Sequence, residues 1–250
     1  MATTTTGAGP RVALLHGFTQ TAASWTPIAE RLSADHEVVA LDAPGHGGSA
    51  SVRAGLWETA ALIAAAVGRA TYAGYSMGGR LALHVALAHP EAVERLVLVS
   101  ATAGIDDPAA RAERRDADAT LARELEHDGL DRFLERWLAQ PLFSSLPPDA
   151  ATLADRRTNT VDGLAWSLRT AGTGSMDPPL WDRLGAIGAA GIPVLVVAGE
   201  RDGKFRALGQ RIVEGIGATA RLHVVVGAGH AVPWERPDDF VAALGTHLRR

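Results

Sequence analysis

Six short apolar runs punctuate the chain: Arg11–Leu15, Glu37–Leu41, 70–73, 95–100, 193–198 and 221–226. Each has the length and β-branched content of a buried strand rather than a helix. Between most of them apolar residues recur every three or four positions. Trp25, Ile28, Ala29 and Leu32 mark a helix starting near residue 22, and further helices are expected over 56–67, 81–88, 205–216 and 238–248. Strands alternating with helices predict a mostly parallel, twisted sheet with right-handed crossovers and helices on both faces, an α/β architecture. The rhythm breaks between 102 and 178, where no run reads as a strand and four helices are expected over 111–126, 130–139, 150–157 and 164–171. A further helix is expected over 181–189. The expectation is a core made of residues 1–101 and 179–250, with 102–178 inserted as a helical cap or lid over one edge of the sheet.

Composition narrows the classes. With 250 residues, 47% apolar and 21% charged, the chain can bury a sizeable core. A net charge of −4 supplies no global field for nucleic acid or an anionic membrane surface. No cysteine is present, which excludes disulfides and thiolate metal sites. The N-terminal stretch, with four consecutive threonines, lacks the basic and apolar regions of a signal peptide, and no apolar run is long enough to span a bilayer. A cytoplasmic protein acting on a small molecule is expected, as a monomer or homodimer, with neither a nucleic-acid nor a membrane partner.

The chemistry centres on Gly74-Tyr75-Ser76-Met77-Gly78, a Gly-x-Ser-x-Gly run. Twenty-seven glycines make chance matches common, but this one lies between a strand-like run and a helix that stops before Pro90. That context puts Ser76 on a sharp strand-to-helix turn at the carboxyl edge of the sheet, with the Met77 amide at a helix N-terminus beside it. A serine hydroxyl needs a base, and the base needs an acid to hold its tautomer. Of nine histidines, His230 follows the last strand in the loop Gly227-Ala228-Gly229-His230 and hangs over the same edge as Ser76. Asp202 follows the preceding strand, in the adjacent loop; Glu200 is its local competitor, with a structural salt bridge as the alternative role. Ser76, Asp202 and His230 are therefore the expected catalytic residues. The His16-Gly17-Phe18 turn after the first apolar run offers a second amide, Phe18, to face Met77 across an oxyanion hole. On the helix 111–126, Arg114, Asp118, Leu121 and Leu125 share one face, so Arg114 is either a buried ion-pair partner of Asp118 or a clamp for a ligand carboxylate.

His16-Gly17-Phe18, the loop Asp42-Ala43-Pro44-Gly45-His46-Gly47-Gly48-Ser49, the serine turn, Asp202 and His230 together resemble the α/β-hydrolase superfamily over nearly the whole chain. The resemblance implies an opening antiparallel strand pair, expected here to be missing or vestigial because only nine residues precede Pro10. Three stretches are more specific: Gly74 through Arg80, Trp137-x-x-Gln140-Pro141-Leu142-Phe143, and Gly199-Glu200-Arg201-Asp202-Gly203-Lys204-Phe205. They look like the menaquinone-pathway lyases of this fold, the 2-succinyl-6-hydroxy-2,4-cyclohexadiene-1-carboxylate synthases. Those enzymes eliminate pyruvate from a carboxylated enolpyruvyl-cyclohexene without metal or organic cofactor. By that resemblance Tyr75, Arg80, Arg114, Trp137 and Arg157 are substrate-binding residues. Read without it, Trp137 could simply pack with Leu130, Phe133 and Leu134, and Arg157 could form a solvated pair with Arg156. The sequence departs from the lyases at Ala231-Val232-Pro233, where they carry Asn and a second His. An esterase using the same triad is the alternative activity, and a non-catalytic ligand-binding member of the fold is the third.

Overall fold

The computed structural model describes residues 1–147 and 150–249, with the side chains of 150–152 left aside; residues 148, 149 and 250, which fall within the expected lid and core spans, lie outside the described residues. Seven strands form one sheet in the order β1-β3-β2-β4-β5-β6-β7: β1 (Thr3–Thr6), β2 (Arg11–Leu15), β3 (Glu37–Leu41), β4 (Ala70–Tyr75), β5 (Val93–Val99), β6 (Val194–Gly199) and β7 (Ala220–Val225). All neighbours pair in parallel except β1, which runs antiparallel to β3 from Thr3 opposite Leu41 to Thr6 opposite Val38. The opening pair expected to be missing or vestigial is represented by this one exposed four-residue strand. Its β-branched polar residues suit an edge that faces water. The central strands β4 and β6 are buried at every position, as parallel strands covered on both faces must be.

The helices are α1 (Thr26–Leu32), α2 (Leu56–Val67), α3 (Met77–Ala88), α4 (Pro108–Asp128), α5 (Leu130–Leu138), α6 (Ala150–Arg156), α7 (Val161–Ala171), α8 (Gly185–Ala189), α9 (Gly203–Ile216), α10 (Val232–Glu235) and α11 (Pro237–Leu248). One apolar cluster packs α2, α3, α8 and α9 on one face of the sheet around Ile63, Leu81, Ile187 and Ile212. A second packs α1, α10 and α11 on the other, around Trp25, Ile28, Val232 and Phe240. Helices α4 to α7 lie between β5 and β6 in the chain, and α4, α5 and α7 bury a cluster of their own, including Leu125, Phe133, Leu134, Leu164 and Leu168. Capping sets several starts more tightly than apolar spacing does. Asp107 Oδ1 accepts from the Ala110 amide at 2.7 Å with Pro108 next in line, so α4 begins three residues before the expected 111. Thr160 Oγ1 accepts from the Gly163 amide at 3.1 Å and starts α7 at Val161 rather than 164. The helix expected over 181–189 divides into a 3-10 turn, Trp181–Arg183, and the short α8.

Candidate active site

Strand β4 delivers Ser76 and α3 begins one residue later. Ser76 sits at φ 51°, a left-handed conformation that non-glycine residues hold only when their surroundings enforce it. The flanking glycines explain how the turn closes. A Cβ at Gly74 would overlap the Gly78 carbonyl, and one at Gly78 would overlap the Leu15 carbonyl of β2. The hydroxyl therefore stands clear of the sheet edge, where two loops reach it. His230 Nε2 is 3.3 Å from Ser76 Oγ, and His230 Nδ1 is 2.7 Å from Asp202 Oδ2. A carboxylate can only accept, so the ring proton lies on Nδ1 and leaves Nε2 to take the serine proton. The other oxygen of Asp202, Oδ1, caps α9 by accepting from the Phe205 amide at 3.2 Å.

His230 is 2% exposed and held from several sides. Phe205 and Tyr75 pack on its ring at centroid distances of 4.5 and 5.4 Å. Ser100 Oγ donates to its carbonyl at 2.8 Å. Glu235 accepts from the Gly229 amide at 2.6 Å and the Ala231 amide at 2.8 Å, bracketing the histidine in the backbone. The Ala231-Val232-Pro233 segment thus opens α10, whose last residue clamps this loop. Glu200, expected in a salt bridge, instead accepts from the Gly227 amide at 2.9 Å and steadies the base of the same loop.

The expected oxyanion donors lie on the two sides of this turn. Met77 is the first residue of α3, and Phe18 follows the glycine turn after β2; among the described residues neither amide has a protein acceptor. The Phe18 ring packs edge-on against Trp137 at 5.1 Å and Phe133 at 6.3 Å, joining the core loop to α5.

A cavity of about 160 Å³ opens above Ser76, the order of a space that takes up a ring-sized molecule. Four of its lining residues are cations: Arg80, Arg114, Arg156 and Lys204. Arg80 donates from Nη2 to the Ala171 carbonyl at 2.8 Å; burial, then the charge of Arg114, pulls its guanidinium down to about 10, so it stays protonated at neutral pH. Arg114 Nε lies 3.0 Å from both oxygens of Asp118, so Arg114 is the ion-pair partner of this buried acid, and it also lines the cavity. Burial raises the Asp118 carboxyl, and Arg114 and Arg80 oppose the rise. Tyr75 and Trp137 also line the cavity, and burial pushes the Tyr75 phenol above its usual range.

Arg157 does not reach the cavity. It is exposed and its Nε pairs with Asp131 at 2.7 Å. Its neighbour Arg156 turns inward, 2% exposed, and bonds through Nη1 to Thr19 Oγ1 and, at 3.4 Å, to the Phe18 carbonyl. Burial lowers its guanidinium, against the opposing charges of Tyr75 and Asp155. Asp155 and Asn159 are anchored to the core on either side of Arg156, which turns inward between them, while Arg157 falls just beyond the last residue of α6. The arginine that lines the cavity is thus Arg156 and not the expected Arg157. Lys204 is a further lining residue outside the expected set; its place on the first turn after Asp202 is the signal the sequence offers. Arg80 Nε, Arg156 Nε and Trp137 Nε1 are buried and have no hydrogen-bond partner among the described residues.

A seven-stranded, mostly parallel sheet, a serine on a strained strand–helix turn, and an acid and a histidine on the last two loops define a class, and comparison with known proteins agrees. The profile of the α/β-hydrolase family matches residues 12–244, and the chain belongs to that family. Within it, the chain is 36% identical over 247 residues to the putative 2-succinyl-6-hydroxy-2,4-cyclohexadiene-1-carboxylate synthase of Bacillus subtilis, covering 93% of this chain and 88% of that one. It is 33% identical over 248 residues to the 2-succinyl-6-hydroxy-2,4-cyclohexadiene-1-carboxylate synthase of Salmonella paratyphi A, covering 96% and 94%. The solved structure of MenH from S. aureus superposes with a TM-score of 0.90 at 28% identity, covering 99% of this chain and 97% of that one. Among the described residues no helix is long and apolar enough to cross a membrane.

Proposed function

We propose that the protein is a lyase that eliminates pyruvate from a carboxylated enolpyruvyl-cyclohexene, the reaction class of the synthases it resembles, and that Ser76, His230 and Asp202 act together as its base. The observation that carries this reading is the set of four cations, Arg80, Arg114, Arg156 and Lys204, that line the cavity beside a serine–histidine–aspartate chain. A guanidinium grips a carboxylate with charge-assisted, often bidentate hydrogen bonds, so several arginines around one cavity favour a substrate with more than one carboxylate. A cavity lined by four cations and one buried acid suits an anion with several carboxylates better than a neutral ester.

In this mechanism His230 takes the Ser76 proton, and Ser76 Oγ removes the acidic proton beside the succinyl ketone. The electron pair moves onto the ketone oxygen, where the Phe18 and Met77 amides stabilise the enolate. Collapse of the enolate shifts the pair through the ring alkene and breaks the carbon–oxygen bond to enolpyruvate. The leaving group takes up the proton held by the triad and departs as pyruvate. Arg80, Arg114 and Arg156 hold the carboxylates throughout, and Tyr75 donates from its protonated phenol. Serine is here a base and forms no acyl intermediate.

Incubation with the enolpyruvyl-cyclohexene substrate and coupled detection of pyruvate tests the proposal. Wild type releases pyruvate and Ser76→Ala does not. Equal release from both, or turnover only of small neutral esters at rates indifferent to Arg80→Ala and Arg114→Ala, rejects it in favour of a hydrolase.

A further inference from the structure

Three side chains tie the segment bearing Arg156 to the loop that carries Phe18. Asp155, the residue before Arg156, accepts from the Thr21 amide at 3.2 Å and from the hydroxyls of Thr21 and Ser24. Thr21 caps the 3-10 turn that follows β2, Ser24 lies within it, and both are buried. Asn159, one turn further on, donates to the Thr19 carbonyl at 2.7 Å and accepts from the Gly47 amide at 3.0 Å. Between these anchors Arg156 reaches Thr19 Oγ1 and the Phe18 carbonyl. Thr19 stands at φ 70°, a left-handed conformation for a β-branched residue, so this loop is held by its neighbours rather than by its own preference.

We infer that Asp155 is a positioning residue: it locks the end of α6 to the Thr19–Ser24 turn so that Arg156 is presented to the substrate already oriented. The inference rests on the proposed lyase reading, in which Arg156 grips a substrate carboxylate. Its physical basis is geometric. A carboxylate with three donors on one rigid turn fixes the backbone at 155, and the next side chain can then leave in only one direction. The guanidinium thus loses little freedom when it meets an anion, which is where preorganisation adds to affinity. The arrangement also implies that this end of the cap moves with the core when substrate enters, and that any opening occurs elsewhere.

The test is a double-mutant cycle of Asp155→Ala and Arg156→Ala, read as KM and kcat for pyruvate release, with thermal unfolding of each variant recorded alongside. Asp155→Ala is expected to raise KM by roughly tenfold in the wild-type background and by less than about twofold once Arg156 is gone, because interacting residues are non-additive. Asp155→Asn keeps one acceptor oxygen for the Thr21 amide and restores most of the wild-type KM. If Asp155→Ala does not fold, Ser24→Ala, which removes one of the hydroxyl donors to the same carboxylate, takes its place in the cycle with Arg156→Ala. Equal KM increases in both backgrounds, or a lowered melting temperature with KM unchanged, overturn the inference and leave Asp155 with a purely structural role. The same cycle read by calorimetric titration with succinate, a dicarboxylate probe, separates two failures. No pyruvate from wild type removes the lyase reading. Succinate binding that depends on Arg156 but is indifferent to Asp155 removes the positioning role alone.

Discussion

At the residue scale, the cavity's character depends on which of two adjacent arginines turns inward. Arg156 is buried against the Phe18–Thr19 loop, while Arg157 pairs with exposed Asp131 at the surface. The two are chemically identical, so their substitution isolates position from charge. Arg156→Ala is expected to raise KM for the carboxylated substrate by roughly 10- to 100-fold, the loss of a charge-assisted, partly desolvated contact. Arg157→Ala removes a solvent-screened pair and should leave KM within about twofold. Steady-state kinetics on the two variants decides, and the reverse order would place the wrong arginine at the substrate. Ser76, Asp202 and His230 were legible in the sequence because each sits at a fixed place, just after a strand end. Arg156 and Arg157 could not be told apart there, because helix phase near a helix end is set by the anchors at Asp155 and Asn159, and those contacts are long-range.

At the scale of elements, the loop between β7 and α10 illustrates how a short helix serves a distant side chain. Glu235 on α10 accepts from the amides on either side of His230, so the imidazole is held by a carboxylate that does not itself line the cavity. Glu235→Ala should lower kcat by about 10- to 100-fold with a much smaller change in KM, since a small displacement of the base penalises proton transfer more than binding. Rapid-quench measurement of pyruvate release checks this; a change confined to KM would contradict it. The capping bond at the start of α7 gives a purely energetic counterpart. Thr160→Ala should cost roughly 1 kcal/mol of stability, the usual worth of an N-cap, measurable as a shift in the urea midpoint. Element existence was plain from apolar spacing, and boundaries were not. Caps such as Asp107 and Thr160 move a helix start by three residues without changing its apolar face. The four threonines of β1 carried no apolar signal at all and became a strand only because β3 offered an edge to pair with.

For the whole molecule, buried histidines couple folding to pH. Burial pulls His84 and His247 down to about 4 each, and lowers His16 and His46 as well, the latter with help from His16. In the unfolded chain these rings titrate near ~6.5. Above that pH neither state protonates them and their full contribution to stability is present. As pH falls toward about 4 the unfolded chain binds protons that the fold refuses, so stability decreases by on the order of a few kcal/mol in sum. Chemical denaturation at about pH 7.5 and about pH 5 should therefore show a lower midpoint in acid, with the sign set by the depressed pKa values. A midpoint that rises in acid would mean these rings are charged in the fold. His84 and His247 replaced together by Gln should flatten the dependence in this window.

Period and order in the chain were enough to set the α/β architecture, the place of the helical insertion between β5 and β6, and the three loops that carry serine, acid and histidine. Those features follow from local propensity and from the rule that residues after parallel strands gather at one edge. The tertiary structure alone decided which arginine enters the cavity, how Glu235 and Asp155 bond to the loops around the cavity, and that Lys204 joins the cation cluster. Each of those depends on contacts between residues far apart in sequence, whose geometry no local pattern encodes.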